Sequence, residues 1–239
     1  MSDLHVVRHG QARLFTDDYD RLSELGITQA EALGRHWLEL GLEPDAVWCG
    51  SLKRQRHTAE VVGQTFVDNG KDWPGQQELD GFNEYPAEEL MNGLLPYLKE
   101  RREDIAAMAT ALEAAADRSD RYRAIHNLLE AVIAAWVHGD YEEGLVPISW
   151  QTFRDGVRNA FREATRNMAS GSTVAIFTSG GPIGISMQTV MEAPDIKAAE
   201  LHWRVHNCSV TRFTFSGPRI SLDRFNDISH LPADLHTYR

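Results

Sequence analysis

Cysteine and long apolar runs are both scarce in this chain. Its 239 residues include only two cysteines, Cys49 and Cys208, too few to suggest a disulfide framework or a cysteine-based metal cluster. No apolar run approaches the roughly 20 residues that a membrane-spanning helix requires. The first residues lack the basic start and the apolar stretch of a signal peptide. We therefore expect a cytoplasmic protein with no metal site and no membrane partner.

Positive charge is also in short supply. Lys and Arg number 24 against 35 Asp and Glu, so the net charge is −11. A protein of this charge repels nucleic acid and anionic membranes as a whole, and we expect neither as a partner. An anionic ligand would need a local positive pocket, which Arg8, His9 and Arg54 could supply.

The stretch LHVVRHGQ at residues 4–11 combines a short apolar run with three residues suited to phosphate chemistry. The apolar run predicts a buried strand, and open α/β sheets bind ligands at the carboxyl ends of their strands. Arg8 offers a fork of donors that matches phosphate oxygens. His9 offers a neutral ring nitrogen that can attack phosphorus, and Gly10 lets the backbone turn sharply beside a ligand.

Two further motifs follow in order, LSELGITQA at residues 22–30 and SLKRQRHTAE at residues 51–60. Together the three motifs resemble those of the histidine phosphatase superfamily, the phosphoglycerate mutase-like proteins, from Val6 to about Leu231 with a poorly matched middle. The resemblance implies a phosphohistidine intermediate on His9, with Arg8 and Arg54 binding the phosphoryl group. The sequence has no metal-ligand spacing, so we expect no cofactor. The family's usual serine aligns with Gly50, so we assign Ser51 no catalytic role.

The pattern of elements predicts a three-layer α/β sandwich with a mainly parallel central sheet and helices on both faces, since strands and helices alternate. A capping box of Thr28 and Glu31 predicts the start of the first helix. The other predicted elements are strands at 4–7, 46–49 and 173–178, a helix at 52–66, and a hairpin of 209–215 with 219–225.

The middle of the chain breaks this alternation. Residues 86–168 predict four helices in succession, at 86–98, 100–116, 122–137 and 150–168. We predict a single domain over residues 1–239 that carries a helical cap or insertion at about 86–148. Such an insertion could be a lid over the substrate or a plain helical buttress.

Three predicted strand ends carry the candidate site: residues 8–10, 50–51 and 179–181. Turns that lead into helices present free N–H groups to an anion, so Ser179 and Gly180 are candidate phosphate ligands. Gln11 is a further candidate. Glu84 is the candidate general acid, which then serves as the general base for water. Its rivals nearby in the sequence are Glu78, Asp80, Glu88 and Glu89.

Ser179 is the main departure from the resemblance, because the family usually has a second histidine directly before the paired glycines. A serine hydroxyl donates a hydrogen bond without charge, and losing one charged donor costs on the order of 10²–10³ in rate. Four other histidines are candidates to replace it: His57, His202, His206 and His230.

The leading hypothesis is a metal-independent phosphatase that hydrolyses phosphate monoesters, with a small phosphorylated substrate or free phosphate as its ligand. Ser179 raises a second hypothesis, a weakened or inactive phosphate-binding protein of the same fold. A phosphoglycerate mutase ranks below both, since QARLF at residues 11–15 replaces the mutases' Asn- and Trp-containing loop. The sequence favours no particular substrate or oligomeric state.

Overall fold

The computed structural model describes residues 1–13 and 20–238 and has a six-stranded sheet at its centre. The strands are β1 (Ser2–Arg8), β2 (Ala46–Cys49), β3 (Gln76–Glu78), β4 (Thr173–Thr178), β5 (Val210–Ser216) and β6 (Arg219–Asp227). Their order is β3-β2-β4-β1-β5-β6. The first four in that order run parallel, while β5 is antiparallel to β1 and to β6. The predicted mainly parallel sheet is confirmed.

Eight α-helices accompany the sheet in the described part of the chain. They are α1 (Glu24–Glu39), α2 (Lys53–Asp68), α3 (Ala87–Arg101), α4 (Glu103–Ala114), α5 (Arg118–His138), α6 (Trp150–Thr165), α7 (Gly180–Val190) and α8 (Ile196–His202). Within the described ranges, no helix is both long enough and apolar enough to cross a membrane.

Alternate residues of the strands pack against the two helical layers. On β1, Val7 joins a core with Leu33 of α1 and Phe66 of α2. Its neighbour Val6 points the other way, into a core with Ile183 of α7. Because side chains alternate across a strand, an unbroken apolar run is what a sheet covered on both faces requires. The three-layer arrangement follows from that pattern.

The helices α3, α4 and α5 share a separate apolar core with the start of α6 and with α8. Its centre is aromatic: Trp136 is fully buried and packs against Trp150 and Phe153. The indole N–H of Trp136 donates to the carbonyl of Ile148 at 2.8 Å. These helices therefore pack on one another and contact the rest of the protein through α6, α8 and Ile185 of α7.

Replacing Trp136 by alanine should destabilise the protein by about 3–5 kcal/mol, because it removes a buried aromatic ring and leaves a cavity. Urea unfolding would measure the change. Tyr122→Ala on the same helix is the matched control, since Tyr122 is 42% exposed and its loss should cost less than about 1 kcal/mol. Equal losses in the two variants would contradict the assignment of Trp136 to the core.

One sequence prediction about an element was wrong, and two short elements were missed. Helix α1 begins at Glu24 rather than Thr28, because Ser23 accepts the amide N–H of Gly26 and caps the helix one turn earlier. Thr28 lies inside the helix and donates to the carbonyl of Glu24 at 3.1 Å. The short elements β3 and α8 were not predicted.

Candidate active site

The carboxyl ends of three parallel strands meet at one edge of the sheet. Arg8 ends β1 opposite Thr178, the last residue of β4. Cys49 ends β2 opposite Phe177 on the other side of β4. The residues that follow these strands, His9, Gly50 and Ser179, are thus brought together as the sequence predicted.

His9 is held as a neutral imidazole of defined tautomer. Its Nδ1 lies 2.8 Å from the carbonyl oxygen of Gly10 and donates to it. Its Nε2 accepts a hydrogen bond from Nε of Arg54 at 3.2 Å. Burial, and then the positive charges of Arg54 and Arg8, lower the pKa of His9 well below its ordinary value. The ring is therefore unprotonated at Nε2 at neutral pH, where the lone pair accepts from Arg54.

Backbone contacts fix the position of the ring. The His9 amide donates to the carbonyl of Thr178 at 2.8 Å, and the His9 carbonyl accepts from the amide of Cys208 at 3.2 Å. The next amide, that of Gly10, donates to Thr58 at 3.1 Å. A Cβ at Gly10 would overlap the carbonyl of Gly26. The motif residue Gly10 is thus explained by close backbone packing.

Arg54 and Arg8 supply positive charge beside His9. Arg54 is on the first turn of α2, and its Nη1 lies 2.6 Å from a carboxylate oxygen of Asp20. The other oxygen of Asp20 accepts the amide N–H of Lys53 at 2.8 Å. Nη1 of Arg8 donates to the carbonyl of Val205. The sequence predicts a polar loop over residues 10–27, which includes Asp20 and gives it no role. Asp17 and Asp18 of that predicted loop lie outside the described residues.

Asp20 competes with any anion for Arg54, so Asp20→Asn should tighten the binding of inorganic phosphate. A partly exposed ion pair contributes about 0.2–1 kcal/mol, which corresponds to a decrease in Kd of up to about fivefold. Isothermal titration calorimetry would measure it. Asp68→Asn removes the same charge from the far end of α2; equal tightening there would show an effect of net charge alone.

Glu84 lies in the segment before α3, and its carboxylate contacts the start of α7. One carboxylate oxygen accepts the amide N–H of Gly181 at 3.1 Å, and the other accepts the amide of Tyr85 at 3.2 Å. Burial raises the pKa of Glu84 above its usual range, although the Gly181 amide and the charges of Arg54 and Arg8 oppose the shift. Burial therefore favours the protonated carboxyl that a general acid requires.

The four rival carboxylates lie elsewhere. Glu78 is 3.6 Å from Arg56 in an exposed pair, and Asp80 accepts a hydrogen bond from Ser51 at 2.7 Å. Glu88 and Glu89 are exposed in the first turn of α3. Among the five candidates, Glu84 is the one whose carboxylate contacts the backbone at the start of α7.

Ser179 and Gln11 make contacts within the protein. The fully buried hydroxyl of Ser179 accepts a hydrogen bond from Gln55 at 2.8 Å. The same amide nitrogen of Gln55 donates to the carbonyl of Phe82 at 2.9 Å. Gln11 accepts from the hydroxyl of Ser23 at 2.8 Å. Phosphate binding by either residue stays a prediction.

Of the four candidate histidines, His202 is the one that the structure brings to Glu84, with 3.7 Å between Nε2 and a carboxylate oxygen. His206 packs on Tyr238, His230 stacks on His36, and His57 lines a separate pocket beside Glu60.

Sequence reasoning also missed Gln55, Thr58 and Tyr85. The position of Thr58, four residues after Arg54 on the same helix, is a signal that could have found that residue.

Comparisons with known proteins agree with this geometry. A family model described as the histidine phosphatase superfamily (branch 1) matches residues 4–131 and 119–228. A comparison with curated proteins found no match.

Several solved structures share the fold. A phosphoserine phosphatase from Entamoeba histolytica, in complex with 3-phosphoglyceric acid, is 15% identical with a TM-score of 0.61, covering 97% of this chain and 100% of that one. A phosphoglycerate mutase from Bacillus anthracis is 14% identical with a TM-score of 0.61, covering 96% and 94%. A mycobacterial glucosyl-3-phosphoglycerate phosphatase is 17% identical with a TM-score of 0.55, covering 94% and 98%.

At these identities the solved structures show a common fold, whereas the family model spans most of the chain, from Leu4 to Ile228. The motif around His9 and the mainly parallel sheet fall inside the matched residues. The chain belongs to the histidine phosphatase superfamily, branch 1.

Proposed function

We propose that this protein is a metal-independent phosphatase that hydrolyses small phosphate monoesters through a phosphohistidine on His9. The observation that carries the proposal is the state of the His9 ring: Nδ1 donates to Gly10, and Nε2 accepts from Arg54. A neutral imidazole in this tautomer is a competent nucleophile. Arg8 and Arg54 supply the positive charge that phosphoryl transfer needs around the equatorial oxygens.

In the first step, Nε2 of His9 attacks phosphorus and forms an N–P bond while the ester P–O bond breaks. Before the reaction, Nε–H of Arg54 donates to His9. When substrate binds, this N–H donates to a phosphoryl oxygen instead, which leaves Nε2 of His9 free to attack. The leaving alkoxide takes the proton of the Glu84 carboxyl. The alcohol departs, leaving phosphohistidine and a Glu84 carboxylate.

In the second step, the Glu84 carboxylate takes a proton from water as the water oxygen attacks phosphorus. The N–P bond breaks and its electron pair returns to Nε2. Inorganic phosphate leaves, and both His9 and Glu84 recover their starting protonation states. One carboxyl thus serves as acid and then as base, which suits a group whose pKa is raised by burial.

The named substrates of similar structures support a small phosphorylated substrate. One is a phosphoserine phosphatase with structures in complex with phosphoserine and with 3-phosphoglyceric acid, and another is a glucosyl-3-phosphoglycerate phosphatase. We propose the same general class here, a phosphate monoester of a small polar molecule. The helices α3, α4 and α5, our proposed cap, are candidates to select among such molecules.

The second candidate function, a phosphate-binding protein without turnover, is favoured by one observation. The hydroxyl of Ser179 accepts from Gln55 instead of supplying a charged donor to the site. The presence of both His9 and Glu84 argues against it, because binding alone requires neither a nucleophile nor an acid.

Trapping the phosphoenzyme tests the proposal. The wild-type protein is mixed with a phosphate monoester in the presence of chelator, quenched with alkali within the first turnovers, and analysed by intact and peptide mass spectrometry. We expect one added phosphoryl group, located on His9. Turnover without any phosphorylated protein, or a phosphoryl group on another residue, would overturn the mechanism.

A further inference from the structure

We propose that His202 is a catalytic residue, which donates a hydrogen bond from Nε2 to an oxygen of the transferring phosphoryl group. The inference rests on the proposed function, because it assigns a further group to that reaction. It comes from a juxtaposition: the last residue of α8 lies against both Glu84 and the first residues of α7.

The start of α7 is shaped to receive this imidazole. A Cβ added to Gly180 would overlap Cδ2 of His202 and lie 3.2 Å from its Nε2. The absence of a side chain at Gly180 therefore lets the ring edge pack directly on the backbone. The next amide, that of Gly181, binds Glu84. Nε2 of His202 is thus at the helix terminus where a phosphoryl oxygen would be stabilised.

The electrostatics place His202 in the same site as the nucleophile. A positive charge on His202 contributes to the lowered pKa of His9, together with the charges of Arg54 and Arg8. Three nitrogen-bearing side chains, on β1, α2 and α8, therefore act on His9. This matches a transferring phosphoryl group, whose charge is spread over three equatorial oxygens.

Tyr85 orients the ring. Its hydroxyl lies 3.1 Å from Nδ1 of His202, and the two rings pack edge to face at 5.4 Å. Trp203 packs on the ring of His202 at 4.3 Å. With the hydroxyl donating to Nδ1, the ring hydrogen of a neutral His202 resides on Nε2. Nε2 is then a donor in the neutral form as well as in the charged form.

The aromatic core of the proposed cap fixes the orientation of the His202 ring. Tyr85 is buried against Trp136 and Phe153, the same residues that hold α5 to α6. His202 follows Ala198 and Ala199, which are buried in that core from α8. The imidazole is therefore fixed by packing on both of its sides, as a donor preorganised for a transition state must be.

Removing this donor should lower kcat by about 10²- to 10³-fold, the usual effect of losing one preorganised donor to developing charge. KM should change less, because the contact strengthens in the transition state. The test compares His202→Ala, His202→Gln and the control His138→Ala, which changes an exposed histidine at the end of α5. Glutamine keeps a neutral donor of similar reach and should recover part of the loss.

Two kinds of measurement are made on each variant. Steady-state hydrolysis of an aryl phosphate gives kcat and KM. Calorimetric titration gives Kd for orthovanadate, which mimics the five-coordinate transition state, and for inorganic phosphate. We expect His202→Ala to weaken vanadate binding more than phosphate binding, and His138→Ala to change neither.

His9→Ala in the same series separates this inference from the proposed function. If turnover survives in His9→Ala, the proposed function is wrong, and the vanadate and phosphate titrations still decide whether His202 contacts the anion. The inference is overturned if folded His202→Ala, with a wild-type unfolding temperature, keeps kcat and vanadate Kd within twofold of wild type.

A further pair of variants covers the case in which His202→Ala does not fold. Gly180→Ala displaces the imidazole by steric overlap, so it should lower kcat and add little further loss when combined with His202→Gln. Wild-type kcat and vanadate affinity in His202→Gln, with full additivity in the double variant, would also overturn the assignment.

Discussion

Replacing His9 by alanine should remove all measurable phosphatase activity, because it removes the proposed nucleophile. The side chain is buried and two directional hydrogen bonds define its tautomer. The measurement is steady-state hydrolysis of an aryl phosphate by wild type and His9→Ala, with chelator and without added metal.

Binding provides the control for this variant. Arg8 and Arg54 remain in His9→Ala, so inorganic phosphate should still bind, with a Kd within several-fold of wild type. Arg54→Ala should instead lose both phosphate affinity and turnover, since Arg54 acts on the ground state and on the transition state. An unchanged rate in His9→Ala would exclude His9 as the nucleophile. Phosphate binding without turnover in the wild type would favour the binding-protein hypothesis.

The sequence predicts those residues of the site that lie at the ends of strands. Arg8, His9 and Ser179 follow from apolar runs, because a parallel sheet brings the carboxyl ends of its strands to one edge. Arg54 follows from its position after the next such run. Local sequence patterns are enough here, since each side chain is placed by the strand or helix that bears it.

Contacts between segments that are distant in the chain could not be predicted from the sequence. His202 reaches Glu84 because α8 packs on the start of α7, and Tyr85 orients it from the aromatic core of the cap. No periodicity links residues that lie 118 positions apart.

The helix start at Ser23 was missed for a different reason. Ser23 and Thr28 are both good caps, and only the tertiary structure shows which of them is used.

Replacing Glu84 by glutamine should lower kcat/KM for alkyl phosphates by about 10²- to 10⁴-fold, the usual contribution of a general acid. Glutamine is nearly isosteric and its carbonyl oxygen can still accept the amide of Gly181, so the fold should persist. The loss should be much smaller for a nitrophenyl phosphate, whose leaving group departs without a proton. Comparing the two substrates therefore separates proton donation from substrate binding.

Glu88→Gln is the matched control, since Glu88 is an exposed carboxylate four residues along the chain. It should leave hydrolysis of both substrates unchanged. A loss in Glu88→Gln with wild-type rates in Glu84→Gln would show that Glu88, and not Glu84, is the general acid. Equal losses on alkyl and nitrophenyl phosphates in Glu84→Gln would show that Glu84 contributes to binding or structure instead of donating a proton.

The pH dependence of kcat/KM gives the same assignment a second test. The acid must be protonated, so activity is present below the pKa of Glu84, which burial raises. The nucleophile must be neutral, so activity is present above the pKa of His9, which burial and the two arginines lower. The two shifts move the two limbs of the profile in opposite directions. On the acid side, kcat/KM should hold well below pH 6.5, the ordinary His pKa. On the basic side, it should fall as Glu84 loses its proton. Glu84→Gln should lack that falling limb, because its amide does not titrate. A falling limb that persists in the variant would belong to another group.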